Sequence, residues 1–217
     1  MNPNPSEAYF ELVVFDMDGV LVDVRSSWVW IHDHFGVNND DSLEAYLEDE
    51  IDDLEFIRRD IALWKSRDQK LRKKDIIEIL NGAPLMPGCK ECLSYLRGND
   101  YRTAIVSGGL KPLAERISGG FFDHIYANDI IDDGNRLTGE GILEVELNNK
   151  GKVFEELLEK EGVPAKKVVA IGNSHIDCPM LERAGLGIAF NPEDDLVRGS
   201  ADIVIEEKDL SKVLEHL

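Results

Sequence analysis

A chain of 217 residues, 43% of them hydrophobic, is long enough for one large domain, or a domain carrying an insert, with a core of its own. Its 24 lysines and arginines stand against 43 aspartates and glutamates, a formal net charge of −19. Such a surface argues against nucleic acid and anionic membranes as partners, since both need a basic footprint, and an anionic substrate would need a locally positive site in an acidic field.

The opening stretch Met1–Glu7 has neither the basic nor the apolar segment of a signal peptide, and no apolar run is long enough to span a bilayer. Three cysteines, Cys89, Cys92 and Cys178, are an odd count that suits a reducing compartment, so the expected location is the cytoplasm. The first element is Leu12-Val13-Val14-Phe15, short, β-branched and aromatic, which predicts a buried strand. It runs into Asp16-Met17-Asp18-Gly19-Val20, two carboxylates one residue apart. Asp and Gly also build ordinary turns. At the C-terminal edge of an open α/β sheet, however, such carboxylates can share a magnesium ion, and one can attack phosphorus.

From about residue 26 to 80 the apolar residues recur at helical spacing among many charges: Trp28, Ile31 and Phe35, then Leu54, Ile57, Ile61 and Trp64, then Ile76, Ile77 and Leu80. This predicts a helical insert over 23–83, between core segments 1–22 and 84–217. Strands and helices then alternate. Strands are expected at 103–106, 124–127, 168–171, 187–190 and 202–205, and helices at 89–96, 113–117 and 152–161. A hairpin is expected over 130–137 with Asp133-Gly134 at its turn. The alternation predicts a mostly parallel sheet covered on both faces.

Three further motifs fall at the ends of these elements. Val106 is followed by Ser107-Gly108-Gly109, where a hydroxyl and glycine N–H groups ahead of a helix can cradle a phosphate, although the same triplet also makes a plain loop. Lys150, in Asn148-Asn149-Lys150-Gly151, can place a compact positive charge in a site or simply face solvent, with Lys152 close by. The strand ending at Ile171 runs into Gly172-Asn173-Ser174-His175-Ile176-Asp177. Asp177 suits an N-cap of the next helix, and Asn173 with Asp177 equally offers oxygen ligands for a hard cation beside Asp16 and Asp18.

These four motifs, in this order, resemble the haloacid dehalogenase (HAD) superfamily of phosphohydrolases. Closer still is the phosphoserine phosphatase branch, through Val106-Ser107-Gly108-Gly109, Ala127-Asn128-Asp129-Ile130-Ile131, Leu137-Thr138-Gly139, Asn149-Lys150-Gly151 and Ala184-Gly185-Leu186-Gly187-Ile188-Ala189-Phe190. The resemblance covers most of the chain, favours Lys150 over Lys152, and is loose across the insert, which matches the family's cap. It implies an α/β Rossmann-like core with a small helical cap after the first strand. It also implies magnesium held by Asp16, Asp18, Asn173 and Asp177, and a small phosphorylated metabolite as partner. In the implied mechanism Asp16 attacks phosphorus and forms an aspartyl-phosphate. Asp18 protonates the leaving oxygen and then activates water, Ser107, Gly108 and Gly109 hold the phosphoryl oxygens, and Lys150 neutralises charge.

The chain departs from the family at two places. Asn173 stands where the family usually carries a metal-binding aspartate, which removes one negative charge. Arg25, in Asp23-Val24-Arg25-Ser26-Ser27, lies near the cap position that typically carries an acidic residue reading the substrate ammonium. A cation there favours a carboxylate or second phosphate, with Asp23 left to supply negative charge and Arg58 and Arg59 as further carboxylate partners. Cys89 and Cys92 are read as structural, His32 and His34 as poor joint ligands, and Glu44–Glu55 as a solvated face. The leading expectation is a magnesium-dependent phosphomonoesterase acting on a small metabolite, with phosphoserine the first substrate to test. Phosphoglycolate, a sugar phosphate or a nucleotide is the alternative, and a degenerate phosphate-ligand binder or a phosphotransferase stands beyond these.

Overall fold

Leu12–Phe15 (β1) is buried at every position, and its side chains alternate between two apolar layers. Val13 and Phe15 enter one layer with Ile105, Val169 and Ile171, while Leu12 and Val14 enter the other with Ala104, Val106 and Ala170. A continuous apolar run is what a strand covered on both faces requires. The structure, a computed structural model, describes residues 10–217; the opening stretch Met1–Glu7 lies outside the described residues.

The remaining strands are β2 (Arg102–Leu110), β3 (His124–Asp132), β4 (Leu137–Ile142), β5 (Val168–Gly172), β6 (Leu186–Phe190) and β7 (Ile203–Ile205). They form one sheet in the order β4-β3-β2-β1-β5-β6-β7, parallel throughout except where β4 folds back on β3. Helices α5 (Cys89–Gly98) and α6 (Lys111–Ser118) cover the Phe15 face, and α7 (Lys150–Glu161) and α8 (Cys178–Leu181) cover the other. A short α9 (Asp195–Ser200) precedes β7. The hairpin forms at the expected place, with Gly134 at φ 88° in its turn.

Between β1 and α5 lie four helices, α1 (Ser27–Phe35), α2 (Asp40–Leu47), α3 (Asp53–Arg67) and α4 (Lys73–Leu80). The chain leaves and re-enters the core side by side. Val22 bridges Leu85, and the Asp23 N–H donates to the Pro84 carbonyl at 2.9 Å. Ile31, Ile57, Ile61, Trp64 and Ile76 continue the apolar layer of the Phe15 face, so the insert shares the core rather than hanging from it. Cys89 and Cys92 are buried in that same layer.

Two expectations are corrected. Ser107-Gly108-Gly109 is not a loop after the strand, because β2 runs on to Leu110 with an irregular register against β3 between Ser107 and Leu110. The segment 124–127 likewise extends, and β3 continues to Asp132 as one long strand shared by the parallel sheet and the hairpin. Among the described residues no helix is long and apolar enough to cross a membrane.

Candidate active site

Parallel pairing sets the level of the site. Phe15 is registered with Ile105 on β2 and with Ile171 on β5, so Asp16, Ser107 and Asn173 emerge from three neighbouring strands within two residues of one level. β6 lies beyond β5, and Glu193 follows its end, where the Glu193 N–H donates to the Asn173 carbonyl at 2.8 Å. This is the carboxyl edge of the sheet, where open α/β folds place ligands.

Lys150, the first residue of α7, joins the two halves. Its Nζ donates to Asp16 Oδ1 at 2.7 Å and to Asp177 Oδ1 at 2.6 Å. Lys150 is 3% exposed, Asp16 5% and Asp177 0%, so this is a buried charge cluster rather than a surface ion pair. Burial works against the Lys150 ammonium, but the two carboxylates outweigh it and raise its pKa. For Asp16, burial and the Asp177 carboxylate push the pKa up against the pull of Lys150. Removing one member of such a cluster leaves an uncompensated buried charge, which typically costs about 3–5 kcal/mol.

Asp18 is held from the insert side. Its Oδ2 accepts from both the backbone N–H and the hydroxyl of Ser27, each at 2.8 Å. The same Ser27 hydroxyl accepts from the Leu110 N–H at 2.9 Å, tying the start of α1 to the end of β2. Ser26 caps α1 by accepting from the N–H groups of Trp28 and Val29. Burial raises the Asp18 pKa against those two Ser27 bonds. Ser107 is buried, and its Oγ accepts from the Gly109 N–H at 3.1 Å. That bond uses the Gly109 donor, so Gly109, as placed, has no N–H free for a phosphate. What its position needs is the missing side chain: a Cβ there would lie 2.6 Å from Asp18 Oδ2 and 2.5 Å from Met17 Cε. The Gly108 carbonyl accepts from Trp28 Nε1 and Asn128 Nδ2.

Asp177 does not cap α8 with its side chain. Its Oδ1 is on Lys150, and its Oδ2 accepts from the N–H groups of Asn173 and Ser174 at 2.9 and 3.1 Å. Both oxygens are engaged, so Asp177 orders the site from behind. Two oxygens remain. Asp18 Oδ1 and Asn173 Oδ1 are buried with no hydrogen-bond partner among the described residues. Buried polar atoms are rarely left so, and an oxygen-lined gap beside anionic groups suits a small hard cation. Among the described residues no three His, Cys, Asp or Glu side chains are placed to share one metal. The donor set here is instead carboxylate plus neutral amide, which suits an ion that keeps waters and binds substrate oxygen.

Above these groups a cavity of about 510 Å³ extends into the insert, with Arg25, Trp28, His32, Phe56 and Asp60 among its lining residues. Arg25 is exposed and makes no ion pair or hydrogen bond among the described residues. Trp28 stacks on buried Trp64 at 5.4 Å between ring centres, whereas Trp30 bonds the Ile79 carbonyl. Three readings of the insert are corrected. Asp23 is not a cavity group, because it pairs with Lys208. Arg58 pairs with Glu140 and Glu55, and Arg59 with Glu55, so neither is free to read a substrate carboxylate. Within the acidic stretch, Asp53 turns inward, where its Oδ1 accepts from the Leu147 N–H.

Sequence reasoning also missed groups. Trp64 Nε1 donates to His32 Nδ1 at 2.7 Å, and an indole N–H can only donate, so the His32 proton sits on Nε2, 3.4 Å from Asp60 Oδ2. Helical spacing gives His32 and Asp60 no signal, since they lie on different helices. Glu193 was missed because only the adjacency of β5 and β6 brings it to Asn173.

The chain resembles proteins of known structure over nearly its whole length. A substrate-bound phosphoserine phosphatase complex matches with a TM-score of 0.80 and 26% identity, over 96% of this chain and 98% of that one. A phospho-aspartyl intermediate analogue of phosphoserine phosphatase matches at 0.79 and 27%, over 96% and 99%. Among curated relatives, the phosphoserine phosphatase of Archaeoglobus fulgidus is 30% identical over 210 residues, 92% of this chain but 57% of that protein's length. That of Wolinella succinogenes is 29% identical over 211 residues, 95% of this chain and 100% of the relative. The haloacid dehalogenase-like hydrolase family model matches residues 13–182. That stretch runs from the second residue of β1 to just past α8 and contains Asp16, Asp18, Ser107, Lys150, Asn173 and Asp177, and by it the chain belongs to the haloacid dehalogenase-like hydrolases.

Proposed function

We propose that this hydrolase is a magnesium-dependent phosphomonoesterase acting through an aspartyl-phosphate on Asp16, with phosphoserine as its first substrate and residues 23–83 as its cap. The observation that carries the reading is Lys150 clamped between Asp16 and Asp177 at the floor of the cavity. Lys150 fixes Asp16 Oδ1 and leaves Oδ2 without a hydrogen bond among the described residues, available to phosphorus. As the Asp16–phosphorus bond forms, the ester bond breaks, and Asp18 in its acid form passes a proton to the leaving oxygen. Burial supports that acid form. The resulting Asp18 carboxylate then takes a proton from water, which attacks phosphorus, frees Asp16 and yields inorganic phosphate. Ser107 and the Gly108 N–H hold phosphoryl oxygens, and Lys150 offsets the repulsion between carboxylate and phosphate.

Asp16 and Asn173 would hold magnesium directly, with Asp18 beside them keeping Oδ1 for the transferred proton and Asp177 fixing Asn173 and Lys150 behind. Bound there, the ion supplies charge neutralisation between nucleophile and phosphate. Arg25 and Asp60 line one cavity with opposite charges, which suits a leaving group that carries both a carboxylate and an ammonium, as phosphoserine does. Arg25, unpaired among the described residues, equally favours acidic phosphomonoesters without an amine, such as phosphoglycolate. Phosphate release from a panel headed by phosphoserine, with magnesium, comparing the chain with Asn173→Asp, separates these. Release by both supports a hydrolase and ranks the substrates. Release only by Asn173→Asp makes the native chain a crippled enzyme, and ligand binding with no release by either replaces hydrolysis with a binding role.

A further inference from the structure

An asparagine at a cation site has a difficulty that an aspartate does not. Either oxygen of a carboxylate serves the ion, whereas an amide presents an acceptor on one side and two N–H donors on the other. Rotated the wrong way, Asn173 would turn positive hydrogens toward the cation. Something must fix the rotation.

Glu193 is placed to do so. Asn173 Nδ2 donates to Glu193 Oε1 at 3.3 Å, and a carboxylate can only accept, so the amide nitrogen must be the atom on that side. The opposite atom, Asn173 Oδ1, is then left buried without a partner among the described residues, as is Asp18 Oδ1, and both residues line the same cavity. A flipped amide would set Oδ1 against Glu193 Oε1, acceptor against acceptor. The backbone holds the two residues in register independently of the side chains, since the Glu193 N–H donates to the Asn173 carbonyl at 2.8 Å. Gly19 closes the remaining side: a Cβ there would come within 2.2 Å of Asn173 Nδ2. Glu193 itself is exposed and lines the cavity, so its side chain can be changed without opening the core.

We propose that Glu193 is a positioning residue that locks the Asn173 amide with its oxygen toward the cation, and that Asn173 and Glu193 together replace the aspartate otherwise used at this position. This rests on the metal-dependent reading of the site.

The test is a double-mutant cycle read as magnesium affinity by calorimetry on the full chain, with no turnover involved. The variants are Glu193→Ala, Asn173→Asp and the two combined. Outer partners of metal ligands typically govern about tenfold or more in affinity. Glu193→Ala should therefore weaken binding about tenfold beside Asn173 but less than about twofold beside the aspartate of Asn173→Asp. Equal losses in both backgrounds, or no loss beside Asn173, would overturn the orienting role while leaving the metal site standing. Binding by Asn173→Asp with none by the native chain would also overturn it. Absence of binding in every variant would instead remove the metal-dependent reading itself.

Discussion

Gly109 shows how tightly single atoms are set at this site. Gly109→Ala places a methyl 2.6 Å from Asp18 Oδ2 and 2.8 Å from Ser27 Oγ, so Asp18 must leave its hydrogen-bonded position. Overpacking of this kind typically costs about 1–3 kcal/mol, and the expected outcome is a folded protein with a lowered melting temperature and activity down by orders of magnitude. Unchanged phosphate release from Gly109→Ala would contradict the placement of Asp18. The buried cysteines make a second prediction at this scale. Burial pushes Cys89 to about 11 and Cys92 to about 12, so both should ignore a thiol reagent at pH 8 until the chain is unfolded, which a chromogenic thiol titration reads directly. The candidate residues Asp16, Ser107, Lys150, Asn173 and Asp177 stand out in sequence because polar groups interrupt or follow apolar runs that a buried strand would otherwise continue, or open the next helix. Their supporting partners do not: Ser27, Asn128 and Glu193 reach the site through contacts that span as many as 83 residues, and no local pattern records them.

At the level of elements, α1 links the insert to Asp18, the proposed acid–base residue. Ser26 caps the helix, Ser27 grips Asp18, Trp28 covers Gly108 and His32 meets Trp64 of α3. Ser26→Ala should cost about 1 kcal/mol, a fall of about 2–4 °C in melting temperature for a chain of this size. Because the cap sets the position of Ser27, kcat should fall with it. A melting shift without any change in kcat would separate helix stability from the site. The strands of the core were readable as apolar β-branched runs, and the hairpin as Asp-Gly between two of them. The continuation of β2 through Ser107-Gly108-Gly109 was not, because its glycines are required by the close approach of Met17, Asp18 and Leu147 rather than by a turn. Glu55, three and four residues before Arg58 and Arg59 on α3, was open to sequence reading, whereas Glu140 beside Arg58 and Lys208 beside Asp23 are brought close only by the tertiary fold.

For the molecule as a whole, the net charge of −19 opposes the arrival of a dianionic phosphate ester. Screening shortens from about 30 Å at 0.01 M salt to about 8 Å at 0.15 M, so kcat/KM for phosphoserine should rise over that range at fixed magnesium. A fall would mean that the local field of Lys150 and Arg25 dominates the approach. Asp16, through its carboxylate oxygen, is the residue proposed to receive phosphorus. Radiolabelled phosphoserine, mixed with the magnesium-loaded protein and quenched in acid, should leave label on the native chain as a hydroxylamine-labile acyl phosphate. More label should accumulate on Asp18→Asn, and none on Asp16→Asn. Phosphate release by Asp16→Asn, or turnover by the native chain with no labelled protein under single-turnover conditions, would contradict covalent catalysis at this strand end.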